Sequence, residues 1–231
     1  SLSREALWEV LVEEGVTTSA IEGERPDPEQ VRSSVARHLG LPTAGLPRPG
    51  KDVDGLVAVL MDAVKGPGRP LDLERLLGWH HALFPGGRSG LRRIHAGALR
   101  GHEPMQVVSG PEGHERVHFE APPRERLEGE LNGFLAWFNA GGEGLDGIIT
   151  VHPFEDGNGR LARALTDLAL AEGEGHSLRL YSMSAQILRG RDAYYHILER
   201  TQRGGHGLDI TEWLSWFLTQ FTAACAQAEL T

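Results

Sequence analysis

Apolar residues recur at helical spacing through most of the chain. Over residues 4–20, Leu7 or Trp8, Leu11 and Val12 mark one helix face. Pro28 opens a second helix through Val31, Val35 and Leu39, closed by Gly40 and Pro42. Residues 43–50 are rich in proline and glycine and read as a connector. Further helices are predicted over 53–64 and 71–83. From 85 to 103, glycines and basic residues break any period. Two short β-favouring runs, 105–108 and 116–119, flank the turn residues 109–113 and predict a β-hairpin. Pro123 then serves as the first helical residue of a segment ending near Asn139. Its apolar face is Leu127, Leu131, Phe134, Leu135 and Phe138, and 141–147 reads as a loop. Leu161, Leu165 and Leu168 stripe a helix expected to end before Glu172. Ala193, Ile197 and Leu198 mark another. Asp209 and Glu212 give a capping-box-like start to the last helix, with Leu214, Phe217, Leu218 and Phe221 turned inward. The pattern is mainly α with one hairpin and no internal repeat.

Composition narrows the function classes. The 231 residues, 40% of them apolar, suffice for a single core. A net charge of −9, spread along the chain, argues against a nucleic-acid surface, which needs clustered Lys and Arg. One cysteine, Cys225, excludes an internal disulfide and gives no zinc spacing; a small buried hydrophobe is its simplest reading. No apolar run reaches membrane-spanning length and no leader pattern is visible, so a reducing, cytoplasmic setting without membrane association is the expectation. The first residue is Ser, so the chain need not begin where the gene product does. Apolar surface residues do not decide whether a homo-oligomer forms.

The candidate chemistry lies between His152 and Arg163, in the run His-Pro-Phe-Glu-Asp-Gly-Asn-Gly-Arg-Leu-Ala-Arg. Gly157-Asn158-Gly159 allows a tight turn and a close backbone approach to a ligand. A helix starting near Asn158 would aim free N–H groups and the positive end of its dipole into that turn, an anion site. Arg160 and Arg163, three apart, can lean to one side with guanidinium forks suited to phosphate oxygens. Asp156 at the lip can hold Mg²⁺ that is also bound by phosphates. A neutral His152 can take a proton from an incoming hydroxyl. Each residue alone has a plainer reading: a turn, a solvated helix face, a helix cap, a structural histidine. Their joint occurrence in one order is what points to a nucleotide.

At this point the chain resembles the Fic family, whose signature His-x-Phe-x-(Asp or Glu)-Gly-Asn-Gly-Arg-x-x-Arg is matched at every specified position. Eight specified residues make a chance match about 10⁻¹⁰ per starting point. The resemblance implies a Fic-type helical bundle with one β-hairpin flap, and an enzyme that transfers AMP from ATP to a Ser, Thr or Tyr hydroxyl of a protein, its own chain being one candidate acceptor. It assigns His152 as general base and Asp156 as Mg²⁺ ligand. It places Gly157, Asn158 and Gly159 around the α- and β-phosphates, Arg160 on the phosphates and Arg163 on the γ-phosphate, with Phe154 anchoring the loop. Tyr194 and Tyr195 are candidates to flank the adenine ring; their spacing equally fits one buried and one exposed helix residue. The hairpin would be the flap, its strand Met105, Gln106, Val107 and Val108 pairing with an extended target segment.

A second resemblance lies upstream. Thr18-Ser-Ala-Ile-Glu22-Gly23 fits the family's inhibitory pattern, (Ser or Thr)-x-x-x-Glu-(Gly or Asn). It implies that Glu22, at the end of an N-terminal helix with Thr18, pairs with Arg163 and obstructs the γ-phosphate. The chain divides accordingly into residues 1–45, carrying the inhibitory motif, and 46–231, the Fic core with C-terminal helices. Two alternatives stay open: a Fic-fold enzyme with another donor or one that removes AMP, and a silent nucleotide-binding regulator. One departure stands out. A full apolar helix usually runs into the motif, whereas Ile148-Ile-Thr-Val151 provides about one turn. The reading favoured here is that residues have been left out of the chain at that point, since true loss would weaken the support of the loop.

Overall fold

The computed structural model describes residues 2–65, 68–109, 114, 116–141, 147–174, 180–203 and 210–228. The described chain runs α1 (Leu2–Ile21), α2 (Pro28–Leu39), α3 (Lys51–Lys65), α4 (Leu73–Leu83), β1 (Arg88–Ser89), β2 (Arg92–Arg93), β3 (Gln106–Ser109), β4 (Arg116–Glu120), α5 (Arg124–Asn139), α6 (Gly147–Val151), α7 (Asn158–Glu174), α8 (Met183–Arg189), α9 (Arg191–Arg203) and α10 (Thr211–Ala228). The fold is therefore mainly helical. It has two antiparallel hairpins, β1–β2 and β3–β4, where the sequence pattern predicts one. The extra hairpin is two residues per strand and lies in the stretch without a period, where so short a pairing leaves no alternation to read.

Helix α7 is the hub. From Asn158 to Leu168 every residue but Gly159 is buried, as expected of a helix packed on all sides. On one flank, α1 to α6 share an apolar core that includes Leu11, Val35, Leu60, Leu76, Leu131, Phe154 and Leu165. On the other, α8, α9 and α10 close a second cluster around Met183, Tyr194, Leu198, Trp213 and Phe217. Helix α1 spans both: Leu7 and Leu11 belong to the first cluster, and Ile21, fully buried, belongs to the second. The end of α1 is thereby fixed beside the start of α7.

Local signals explain most helix ends. Asp27 caps α2 by accepting the Glu29 N–H at 3.0 Å, and Gly40 ends it with a left-handed φ of 68°. Asp72 caps α4 through the Arg75 N–H at 2.7 Å, so that helix begins at Leu73 rather than Leu71. Leu71 is instead clamped by Asn139, whose side chain accepts the Leu71 N–H and donates to its carbonyl, both at 2.8 Å. Pro123 is the cap of α5 rather than its first residue. Helix α7 continues to Glu174, past its expected end. Helix α8 is not apparent from the pattern; its seven residues are too few to show a period, though Ser182 caps it through the Ala185 N–H at 3.0 Å.

In α10 the buried face is Trp213, Phe217 and Ala224. Leu218, expected to point inward, is 51% exposed, and Leu214 and Phe221 are half-buried. With Trp213 taken as the anchor, the 3.6-residue repeat turns position 218 outward. The expected Asp209 cap, the hairpin turn 110–113 and residues 142–146 of the expected loop lie outside the described residues. Immediately before the motif, α6 is a five-residue helix with Ile148 and Val151 buried. Among the described residues no helix is long and apolar enough to cross a membrane.

Helices α3 and α4 meet so closely that a Cβ on Gly55 would lie 1.8 Å from the Ala82 carbonyl oxygen. Gly55→Ala should therefore destabilise the fold by about 2 kcal/mol or more, despite alanine's better helix propensity. Urea unfolding followed by circular dichroism checks this; an unchanged midpoint would contradict the packing described.

Candidate active site

The loop between α6 and α7 carries the signature residues, and its shape is held from inside. Phe154 is fully buried and stacks on the His80 ring with centroids 4.1 Å apart. Burial in turn lowers the His80 pKa to about 4, so His80 is a neutral structural group at physiological pH. Asn158 closes the loop: its carbonyl oxygen accepts the Phe154 N–H at 3.1 Å and its amide donates to the Phe154 carbonyl at 2.9 Å. The Asn158 side chain is thus a loop clamp turned away from the ligand space. Gly157 takes φ of 80°, and a Cβ there would sit 2.8 Å from the Phe84 ring, so both conformation and packing require glycine.

His152 has a φ of 49°, unusual for a residue with a side chain. The strain is held by Arg100, a buried residue that lacks any sequence signal. Its Nε donates to the His152 carbonyl at 2.7 Å, its backbone N–H donates to the Pro153 carbonyl at 2.9 Å, and its guanidinium also reaches the Pro122 carbonyl. His152 Nδ1 lies 3.1 Å from the Ile149 carbonyl, which can only accept. The proton therefore sits on Nδ1, and Nε2 keeps a free lone pair. Burial, with a smaller effect from Arg100, holds the imidazole pKa below the ordinary histidine value. The ring is in the form a base requires.

The start of α7 follows directly. The Leu161 N–H bonds the Gly157 carbonyl at 3.0 Å, leaving the preceding N–H groups as the open, positive end of the helix. Arg163 is buried. Its Nε donates to Thr18 Oγ1 at 2.7 Å; its Nη2 donates to the Thr18 carbonyl at 2.9 Å and to Glu22 Oε1 at 2.7 Å. Its Nη1 has no hydrogen-bond partner among the described residues. Glu22 also lies over the first turn of α7: a Cβ on Gly159 would fall 2.3 Å from Glu22 Oε1. Glycine at 159 is what lets the carboxylate come so near.

The end of α1 explains the spacing of the inhibitory pattern. The Gly23 N–H bonds the Ala20 carbonyl and the Glu24 N–H bonds the Ser19 carbonyl, both at 3.0 Å, and Gly23 has φ of 82°. This is a Schellman cap, with glycine at the left-handed position. A residue tolerant of that conformation must follow Glu22, which is the physical content of "Gly or Asn" at that place in the pattern. The cap also positions Glu24, whose Oε2 accepts from Arg160 Nη1 at 2.8 Å. Burial raises the Glu24 carboxyl pKa, with Arg160 opposing the rise. Nothing in the sequence pairs Glu24 with Arg160, because the contact spans 136 residues.

Asp156 is oriented by two donors: the Gly157 N–H at 2.6 Å and the Ser89 hydroxyl from β1. No group of three or more side chains suited to a metal occurs among the described residues. A half-buried carboxylate beside an open helix terminus is the donor set of a Mg²⁺ held chiefly by substrate phosphates and water, and Asp156 fits that role.

His152, Gly159, Arg163, Glu22, Tyr194, Tyr195 and Val107 line one cavity of about 710 Å³. Tyr194 is a buried member of the second cluster, whereas Tyr195 is 41% exposed and donates its hydroxyl to the Ile21 carbonyl at 3.2 Å. The tyrosine pair thus divides into one core residue and one open wall. The β3–β4 hairpin borders the cavity through Val107. Ala121 N–H bonds the Met105 carbonyl and Gln106 pairs with Glu120. A bulge falls between Val107 and Val108, and Val108 pairs with Val117.

Residues 70–170 match the Fic/DOC family model, and residues 1–41 match a domain of unknown function, DUF4172. The chain therefore carries a Fic/DOC family domain. Its fold is shared with a Fic family protein from Desulfovibrio desulfuricans G20 (TM-score 0.70, 22% identity, covering 97% of this chain and 65% of that one). It is shared too with a Fic domain containing signaling protein from Bacteroides thetaiotaomicron VPI-5482 (TM-score 0.67, 17% identity, 99% and 91% covered). Fic-1 from C. elegans gives a TM-score of 0.65 at 20% identity, with 94% of this chain and 62% of that one covered. The chain thus spans less than two thirds of the first and third of these proteins. A search of curated proteins found no match.

Asn158→Ala should leave the buried Phe154 N–H and carbonyl without partners. A loss of about 2 kcal/mol or more in stability is expected, read by thermal unfolding. Wild-type stability in this variant would contradict the clamp.

Proposed function

We propose that the protein is an autoinhibited adenylyltransferase that moves AMP from ATP to a hydroxyl of a protein, releasing pyrophosphate. The observation that carries this reading is the convergence of His152, the open end of α7 and Arg163 on one cavity, with Glu22 seated where an anion belongs. In the reaction, His152 Nε2 takes the proton of a Ser, Thr or Tyr hydroxyl. The freed oxygen attacks the α-phosphorus, a new P–O bond forms, and the bond from that phosphorus to the bridging oxygen breaks, with its electron pair leaving on pyrophosphate. The protein's part is mainly positioning and electrostatic stabilisation. N–H groups at the start of α7 face the phosphates, Arg160 steadies them, and Arg163 reaches the γ-phosphate. Mg²⁺ held by Asp156 would neutralise phosphate charge. The flap residues Met105, Gln106, Val107 and Val108 would hold the target segment in extended form, and Tyr195 would wall the nucleotide base.

Nη1 of Arg163 and Nε of Arg160, buried and without a partner among the described residues, support a polyanion as ligand, because such donors are costly to leave unmade. Glu22 accounts for inhibition: it holds Arg163 away from a triphosphate and places a like charge at the helix terminus. The target is a protein presenting a free hydroxyl, this chain included.

His152→Ala should lower AMP transfer by roughly 10²–10⁴-fold, measured as label from α-labelled ATP on any acceptor or on the protein itself. In the active form the acid limb of the rate profile should fall below pH 6.5, since the base loses its lone pair only under its lowered pKa. Undiminished labelling by the variant would reject the assignment. Glu22→Gly should raise self-labelling and ATP affinity. If both stay at the wild-type level, the inhibitory reading fails.

A further inference from the structure

We propose that Glu24 is a second inhibitory residue of the nucleotide site, closing the α/β-phosphate position through Arg160 while Glu22 closes the γ-phosphate position through Arg163. The inference rests on the phosphate-binding reading of the two arginines given above, and extends it to a residue outside both sequence motifs.

The geometry is specific. Arg160 Nη1 and Glu24 Oε2 are 2.8 Å apart, and the Arg160 side chain is only 8% exposed. Its guanidinium lies 4.9 Å over the Phe84 ring, the same ring that fills the space against Gly157. Stacking therefore fixes the guanidinium beside the glycine turn whether or not a carboxylate is present. Arg160 Nε is buried without a hydrogen-bond partner among the described residues, so the fork retains an unused donor that a phosphate oxygen can take. Glu24 sits on the open side, with 48% of its side chain exposed, and three like charges, Asp156, Glu22 and Asp52, lie near it. A carboxylate in such company stays because Arg160 holds it.

Glu22 and Glu24 are also mechanically linked. They flank Gly23 in one Schellman cap, so the spacing of the two carboxylates is set by backbone hydrogen bonds rather than by side-chain reach. The arginines they meet lie three apart on α7. One capped turn therefore meets both arginines of the signature, with a separate carboxylate for each guanidinium. The two locks differ in what they withhold. Arg160, beside the glycine turn, serves phosphates shared by ADP and ATP, whereas Arg163 serves the phosphate that ATP alone carries.

Titration calorimetry with Mg·ADP and Mg·ATP on the full chain tests the division. Glu24→Gln should tighten both nucleotides by a similar factor, about three- to tenfold. Glu22→Gly should tighten ATP more than ADP. Replacing Arg160 by Gln in the Glu24→Gln protein should abolish the gain, as a double-mutant cycle requires if the carboxylate acts through that guanidinium. Glu24→Ala titrated in parallel keeps the test in place if one substitution impairs folding. Should the Glu24 variants bind both nucleotides like wild type while Glu22→Gly tightens ATP, the proposal for Glu24 falls and the nucleotide reading of the site stands. Should none of the variants bind either nucleotide, the proposal falls together with that reading.

Discussion

The burial of one guanidinium constrains everything around it. Arg163 is 3% exposed in a helix packed on all sides, and a charge in such a position demands partners. The chain supplies three, from the last turn of α1 and the residue that follows it: the Thr18 hydroxyl, the Thr18 carbonyl and the Glu22 carboxylate. For them to be present, α1 must end at one place and in one orientation. Ile21 in the second cluster, Glu14 bonded to Ser182 and to the Ser184 N–H, and the Gly23 cap secure that placement. The N-terminal helix is accordingly integral to the site rather than appended to it.

A second layer of support keeps the signature loop in shape without reference to a ligand. Asn158 and Phe154 lock it from within, while Arg100 ties His152 and Pro153 to the start of the segment leading into α5. Ser89 brings a short hairpin to Asp156. Phe154, Asn158 and Arg100 are buried, so the geometry at His152 is held by the fold itself. Such preorganisation is how positioning lowers a barrier.

The helices were largely legible in the sequence because their apolar stripes are long and some of their ends chemically explicit: Pro28, Gly40 and the Leu127 to Phe138 face all read correctly. Short elements were not. Helix α8 and the β1–β2 hairpin fall below the length at which a period shows, and Leu218 was turned the wrong way because the anchoring role of Trp213 depends on tertiary packing. In the site, three signature residues, His152, Gly159 and Arg163, line the cavity, and the sequence did not show which of its other candidates turn elsewhere. Asn158 turns its side chain into the loop, and the tyrosine pair splits between core and wall. Arg100, Ser89 and Glu24 carry no local signal, since each acts across many residues of intervening chain.

The Thr18 carbonyl belongs to the final turn of α1, where backbone oxygens have no helical partner. Arg163 therefore does double service as the terminator of that helix, a cation at its negative pole. A ligand that recruits this guanidinium strips the terminator away, and by reciprocity anything that firms up the end of α1 must weaken the ligand. Stability of the amino-terminal helix and affinity for an anion are thus drawn from a single interaction and trade against each other.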